Sequence, residues 1–150
     1  MTTVLNDRHF RTHARNTFHG AKKLQDDSKP VPAAYLTQVA MECAFKARLL
    51  ALFGCSRVSE FKDKQPVLWK KFFAGKTGHS LSELALVTDV ERLCKTARME
   101  NPLAGNTWAR MASSDPERPY SLRYGWESIS DSQALEELNV CDNFLRLLGA

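Results

Sequence analysis

The sequence of 150 residues lacks several features that would assign it to a large class of proteins. No run of 18 apolar residues is free of charge, so no segment is predicted to span a membrane. The first 15 residues, MTTVLNDRHFRTHAR, lack the apolar centre of a secretory signal. Asp7 and the absence of a serine-rich tail also argue against a transit peptide. These absences favour a cytoplasmic protein with no membrane partner.

Cysteine pairs and strand patterns are missing as well. The four cysteines (Cys43, Cys55, Cys94 and Cys141) form no C-x-x-C pair, and three of them lie on predicted apolar helix faces. We therefore expect reduced core residues, with neither disulfides nor a zinc site. No segment alternates apolar and polar residues as a half-buried strand does. The chain is predicted to be all-α.

The composition is that of one ordinary globular domain spanning residues 1–150. Apolar residues make up 43% and charged residues 25% of the chain. The net charge of +4 is unevenly distributed: residues 1–32 carry six Lys or Arg against three acids, whereas residues 127–150 carry one against five. This asymmetry indicates either a basic face for an anionic ligand or an ordinary solvated helix surface.

The segment from Ala33 to Phe53 is the predicted centre of the fold. It contains no glycine or proline and is apolar on nearly every side, so other helices must surround it. One polar stripe interrupts it, formed by Gln38, Glu42 and Lys46 at intervals of four residues. Glu followed by Lys four residues later is the favourable order for a helical ion pair. The pair belongs either to a ligand pocket or to the edge of the core.

Capping residues and prolines predict the other helices. These helices begin after Asn6, at Pro66, at Leu81, near Asn106 and after Ser130. A T-x-x-E pattern at Thr88 predicts a jog between Leu81–Val87 and a helix from Asp89 to about Met99, although one continuous helix fits the same spacing. Residues 55–65 and 113–127 are predicted loops. The expected architecture is an up-and-down bundle of four main helices with one or two short ones.

Apolar spacing predicts which side chains face the core. In the helix after the jog these are Leu93, Cys94 and Ala97. In the last helix they are Leu135, Leu138, Cys141, Leu145 and Leu148.

The first helix carries a basic stripe on its outer side, formed by Arg8, Arg11, Arg15 and Lys22. Such a stripe can follow an RNA backbone, but no base-stacking aromatic residue is identified on that face. His9 and His13 are four residues apart, a workable spacing for metal ligands. Because no third ligand is within reach in the sequence, no metal site is expected.

Other phosphate-binding candidates lie later in the chain. His79 precedes the helix that begins at Leu81, where the helix dipole favours the neutral imidazole. It is interpreted either as a phosphate contact or as a packing residue. In the loop of residues 113–127, Arg118 and Arg123 can grip phosphate and Tyr124 offers a stacking face. Residues 76–78 lack the full pattern of a phosphate loop, and no cofactor is expected.

Several of these segments together resemble HEPN domains. The central segment with Ala40, Glu42 and Lys46 is similar to the second HEPN helix. The family continues with a t-x-H-s/d-L-x-x-L segment, which residues 77–84 resemble, and often carries Arg-Tyr before the final helix, as residues 123–124 do. The resemblance covers about Arg8 to Leu148.

The resemblance implies a small up-and-down bundle that forms a homodimer. Such proteins act beside a nucleotidyltransferase, in toxin–antitoxin or phage-defence systems, or bind nucleotide or RNA. A nuclease branch cleaves RNA without metal by an Arg-x(4–6)-His motif in a late helix, but here no histidine follows His79. The only match to that spacing is Arg8 with His13, in the first helix, so these two are the only catalytic candidates.

Three hypotheses follow. The leading one is a dimerising HEPN-like domain of a toxin–antitoxin or defence-type system that binds an anionic nucleotide or RNA. Its expected ligand-binding residues are Glu42, Lys46, His79, Arg118, Arg123 and Tyr124. The alternatives are a metal-independent ribonuclease toxin and a pure protein-interaction module. The sequence leaves open whether the chain is an enzyme, and a binding role is favoured over catalysis.

Overall fold

The computed structural model describes residues 6–97, 106–112 and 128–149. Within these ranges the chain is all-α, as predicted, and no residue belongs to a strand beyond an isolated bridge between Asn6 and Arg57. No described helix is long and apolar enough to cross a membrane. A 3-10 turn covers Lys76–His79. The α-helices are α1 (Asp7–Asp26), α2 (Pro30–Leu52), α3 (Val58–Lys64), α4 (Pro66–Phe73), α5 (Leu81–Val87), α6 (Val90–Thr96), α7 (Asn106–Met111) and α8 (Asp131–Leu148).

Helix α2 is the buried centre, as its apolar circumference predicts. Twelve of its 23 residues are buried, and they lie on several sides of the helix. Helix α1 runs antiparallel to it. The start of α1 is fixed where the Asp7 amide donates to the Ser56 carbonyl at 3.0 Å. Further along, Gly20 lies against Leu36.

Helix α8 packs on α2 and runs in the same direction. Near the middle of α2, the Cys141 thiol lies 3.9 Å from the Thr37 carbonyl oxygen. Nearer the end of α2, the Phe45 and Phe144 rings meet edge to face with centroids 5.3 Å apart. The aromatic contacts join α2 and α8 into the main core.

Three predicted helix boundaries are confirmed by their caps. The Asn6 side chain accepts a hydrogen bond from the His9 amide at 2.9 Å and begins α1. Ser130 and Gln133 form both bonds of a capping box at the start of α8. Gly149 ends α8 with a φ of 71°, a conformation that favours glycine.

The prediction of a loop over residues 55–65 is wrong, because α3 occupies Val58–Lys64. One residue explains the difference. Phe61 is fully buried and packs edge to face on Phe53 and Phe73, with ring centroids 5.5 Å apart in both pairs. Apart from Phe61, only Val58 of this helix is an apolar residue packed on the core, so the segment has too few apolar residues to show a periodicity.

The jog after α5 is confirmed, but its predicted cap is wrong. Thr88 is buried, and its hydroxyl donates back to the Leu84 carbonyl at 2.6 Å, so it closes α5 and does not begin α6. Asp89 takes the position before α6 with a φ of 53°. The predicted inward set also needs correction there, because Ala97 is exposed while Cys94 is buried and Leu93 half-buried.

The four cysteines are free, as predicted. Cys55, Cys94 and Cys141 are buried, and Cys43 is half-buried. Burial raises the pKa of the Cys141 thiol far above its ordinary value, which keeps it protonated.

An ion pair between Arg110 and Glu137 joins α7 to α8. The buried face of α8 also differs from the predicted one. Leu135, predicted to face inward, is 47% exposed, whereas Glu137 is fully buried. Glu137 is accommodated because Arg110 of α7 donates to its carboxylate at 3.0 Å and to the Gln133 carbonyl at 3.1 Å. Leu138, Cys141 and Leu145 are buried as predicted, and Leu148 is half-buried; the predicted helix end near Met99 lies outside the described residues.

Replacing Arg110 by alanine is expected to destabilise the protein by roughly 2–3 kcal/mol, because it leaves the buried Glu137 carboxylate without this partner. The matched control is Arg92→Ala, which breaks a solvent-exposed contact with Asp89 at 3.8 Å and should cost less than about 1 kcal/mol. Urea unfolding of both variants measures the difference. Equal losses would contradict the role given to Arg110.

Candidate functional site

The predicted site residues fall into three groups. Glu42, Lys46 and His79 converge beside the 3-10 turn. Arg8 and His13 line a separate cavity on α1. Arg118, Arg123 and Tyr124 lie outside the described residues, as does the whole predicted loop of residues 113–127.

The first group is centred on the Glu42 carboxylate. Its side chain is only 9% exposed, and His79 Nδ1 lies 3.1 Å from Glu42 Oε2. Lys46 Nζ is 4.0 Å from the same oxygen, at the outer limit of an ion pair. The histidine contact is thus the closer of the two, and it joins α2 to the turn that precedes α5.

The predicted shift of His79 toward its neutral form has the wrong direction. The hydrogen bond to the Glu42 carboxylate raises the pKa of His79 above its ordinary value of 6.5. Partial burial and the Lys46 charge act in the opposite direction, and they are outweighed.

Gly78 explains how His79 reaches α2. A methyl group on Gly78 would collide with the Phe72 carbonyl oxygen and would stand 3.4 Å from Lys46 Nζ. The turn therefore lies directly against the end of α4 and beside Lys46, and only a residue without a side chain permits this approach.

The second group lines a cavity of about 560 Å³ along the first half of α1. Its walls are mainly hydrogen-bonding side chains of α1 and its N-cap residue, with one phenyl ring and one thiol. They are formed by Asn6, Arg8, His9, Phe10, Thr12, His13, Asn16 and Cys43. A volume of this size lies within the range of small-molecule sites.

Arg8 is the permanent cation of this cavity. It is exposed, and no carboxylate of the described residues pairs with it. By contrast, Arg11 is held by Asp7 at 3.2 Å. Arg15 and Lys22 continue the exposed basic stripe along α1, as the sequence predicts.

Phe10, on the apolar side of α1, adds an aromatic ring to the cavity. Phe10 is half-buried, packs on Phe73 with ring centroids 5.8 Å apart, and still lines the cavity next to Arg8. The sequence assigned Phe10 to the apolar face of α1. Its contact with Phe73 agrees with that assignment, and its place in the cavity depends on the packing of α1 on α2, which the sequence does not specify.

Cys43 is not a candidate nucleophile, although it lines the cavity. Burial first, and the neighbouring Glu42 charge second, raise the pKa of its thiol to about 11. The thiolate is the reactive form, so the Cys43 thiol is unreactive near neutral pH. Among the described residues, no group of three His, Cys, Asp or Glu side chains is placed to hold a metal ion.

No protein-family model, no curated protein and no solved structure matches the chain. The geometry of the two groups of residues is therefore the basis for inferring a function.

Gly78→Ala is expected to lower the free energy of unfolding by about 1–3 kcal/mol, because the added methyl group overlaps backbone that cannot move freely. Gly20→Ala is the matched control. It lies inside α1, where its methyl group meets only the end of Leu36 at 3.4 Å, and alanine should stabilise the helix by about 0.5–1 kcal/mol. Thermal and urea unfolding should show opposite signs for the two variants. A neutral Gly78→Ala would refute the close packing of the turn.

Proposed function

We propose that the chain is a HEPN-like helical domain that binds an anionic nucleotide, free or within RNA, in the cavity on α1. The observation that supports this most strongly is the lining of the cavity. It combines Arg8, which no described carboxylate neutralises, with the ring of Phe10 and the side-chain donors Thr12 and Asn16.

Each part of this lining has a counterpart in a nucleotide. A guanidinium binds phosphate through two parallel hydrogen bonds. An aromatic ring next to it offers a stacking surface for a base, a contact that contributes about 1–3 kcal/mol in single-strand binding. No described carboxylate lines the cavity, so no negative side chain opposes the phosphate. The stripe of Arg15 and Lys22 lies beyond the cavity, where a longer RNA would continue.

The Glu42 group is less suited to an anion than the cavity. Its two basic side chains, His79 and Lys46, are both turned toward one carboxylate. An incoming phosphate would have to compete with Glu42 for them and would meet its negative charge. We therefore propose that Glu42, Lys46 and His79 are structural residues outside the ligand-binding site, a change from the role that the sequence assigned to them.

The proposal keeps the wider context that the HEPN resemblance implies. The antiparallel packing of α1 on α2 and the common direction of α2 and α8 support an up-and-down bundle. Homodimerisation, cytoplasmic location and action beside a nucleotidyltransferase or in a toxin–antitoxin or defence-type system are part of the same proposal. A pure interaction module is the alternative in which the cavity binds no nucleotide.

Isothermal titration with AMP, UMP and a short single-stranded RNA tests the cavity. Arg8→Gln is expected to weaken binding about tenfold or more, because it removes a charge-assisted hydrogen bond of about 1.5–3 kcal/mol. The matched control is Arg92→Gln, which removes the same charge from an exposed site on α6 and should leave the affinity nearly unchanged. If the wild-type protein binds none of these ligands, the interaction module is the better account.

Phe10→Leu provides an independent test of the stacking surface. Leucine keeps an apolar contact with Phe73 but removes the ring, so we expect binding of AMP to weaken about five- to a hundredfold with the fold retained. Far-ultraviolet circular dichroism checks the fold. An affinity equal to that of the wild type would show that the base lies elsewhere.

One observation favours a second candidate, a metal-independent ribonuclease. Arg8 and His13, the only pair with the expected spacing, line the same cavity. A histidine placed there can act as a general acid or base, and the guanidinium can stabilise charge on the phosphate in the transition state.

RNA cleavage in the presence of a chelator tests the ribonuclease. His13→Ala should abolish cleavage, whereas His19→Ala, at an exposed position of α1 outside the cavity lining, should retain it. If the wild-type protein leaves single-stranded RNA intact, the cavity is a binding site only.

A further inference from the structure

The contact between Glu42 and His79 connects two parts of the fold that are distant in sequence. Glu42 lies in the middle of α2, whereas His79 ends the 3-10 turn that joins α4 to α5. Ser80 follows directly and caps α5, accepting the Glu83 amide at 3.4 Å. The position of the turn therefore determines where α5 begins.

The charged form of the Glu42 carboxylate needs a positive partner because its side chain is buried. Its side chain is nine-tenths buried, and no donor of the described residues reaches Oε1. Both basic side chains approach the other oxygen, Glu42 Oε2. His79 Nδ1 lies 3.1 Å from it, whereas Lys46 Nζ lies 4.0 Å from it. A buried carboxylate that loses a charged partner suffers a large desolvation penalty.

The packing of Gly78 limits how the turn can move if the contact is lost. Gly78 already lies against the Phe72 carbonyl and next to Lys46 Nζ, so the backbone cannot move deeper into the protein. The remaining direction of movement is outward, toward solvent, where the His79 side chain is 39% exposed. Release of the contact would therefore lift the turn from α2.

We propose that Glu42 and His79 form a proton-controlled latch that fastens the turn of residues 75–80 onto α2. With His79 protonated, the contact is a partly buried ion pair and the turn is closed. With His79 neutral, the buried carboxylate keeps only a weaker hydrogen bond and the distant Lys46, and the turn opens more often. The latch is independent of nucleotide binding and of the cavity on α1.

The direction of the pH dependence follows from the charges around His79. The described charged groups that act on it are Glu42, which raises its pKa, and Lys46, which lowers it; both are on α2. On the α4 and α5 sides, Lys71 and Glu83 pair with each other at 3.2 Å. Because the pKa of His79 is raised in the folded protein, the stabilisation is complete below the ordinary value of 6.5 and is lost as the pH rises through the raised value.

Amide hydrogen exchange of the full chain tests the latch between about pH 5.5 and 8.5, with protection corrected for intrinsic exchange rates. Protection of residues 76–81 should fall as the pH rises, while protection of residues 138–145 in α8 should stay constant. In His79→Gln, which keeps a donor but cannot be protonated, protection of the turn should no longer depend on pH. The matched control is His19→Gln, at an exposed position of α1, which should behave as the wild type.

A titration by NMR adds a measurement on the wild-type protein that does not require a variant to fold. In the wild-type protein the His79 imidazole should titrate at higher pH than in the urea-unfolded chain, and in Glu42→Gln that difference should be reduced. A folded His79 that titrates at or below its unfolded midpoint would overturn the latch. So would protection of the turn that does not change with pH, or a pH dependence that persists in His79→Gln.

Discussion

The burial of α2 on several sides is the constraint on which the rest of the structure depends. A helix without a solvated face must receive α1, α8 and α5 around it, and any polar side chain on it must find a partner inside the protein. Glu42 is the clearest case, because its carboxylate is nine-tenths buried and His79 reaches it from the turn before α5. The position of that turn, and hence of α5, is therefore linked to one polar residue of the central helix.

The same helix separates two chemically different sites. On one side, Lys46 and His79 both approach Glu42, so the carboxylate offsets much of the positive charge there. On another side, Cys43 borders a cavity whose remaining walls come from α1 and whose arginine has no described carboxylate partner. An anion is attracted by the second arrangement more than by the first. This contrast is the physical basis for placing the proposed nucleotide site on α1.

The sequence predicted the helices that are specified by neighbouring residues in the chain. The Asn6 and Ser130 caps, the glycine after α8 and the apolar circumference of α2 need no knowledge of the fold, and the helices that they define are confirmed. Helix α3 was missed because Phe61 is its one fully buried side chain, with Val58 half-buried, and Phe61 packs on rings from other segments of the chain. Leu135 was wrongly predicted to face inward for a related reason. Arg110 of α7 makes burial of Glu137 possible, so α8 buries Glu137 and leaves Leu135 exposed.

The candidate sites were predictable to a smaller extent. The spacing of Glu42 and Lys46 indicated an ion pair, and the family resemblance brought His79 into consideration beside them. The raised pKa of His79 was not predictable, because it depends on a contact with a residue 37 positions away in the chain. Similarly, Arg8 and His13 stood out by spacing alone, but the cavity that includes Phe10 and Cys43 requires the packing of α1 on α2.

Mapping of backbone amide shifts during titration of isotopically labelled protein with AMP tests the central claim most directly, since it reports where a nucleotide binds without altering any residue. We expect saturable shifts concentrated in residues 6–16 and at Cys43, with little change around His79. Shifts concentrated in residues 75–83 and around Glu42 would place the ligand in the other site. The absence of any saturable shift would contradict nucleotide binding altogether.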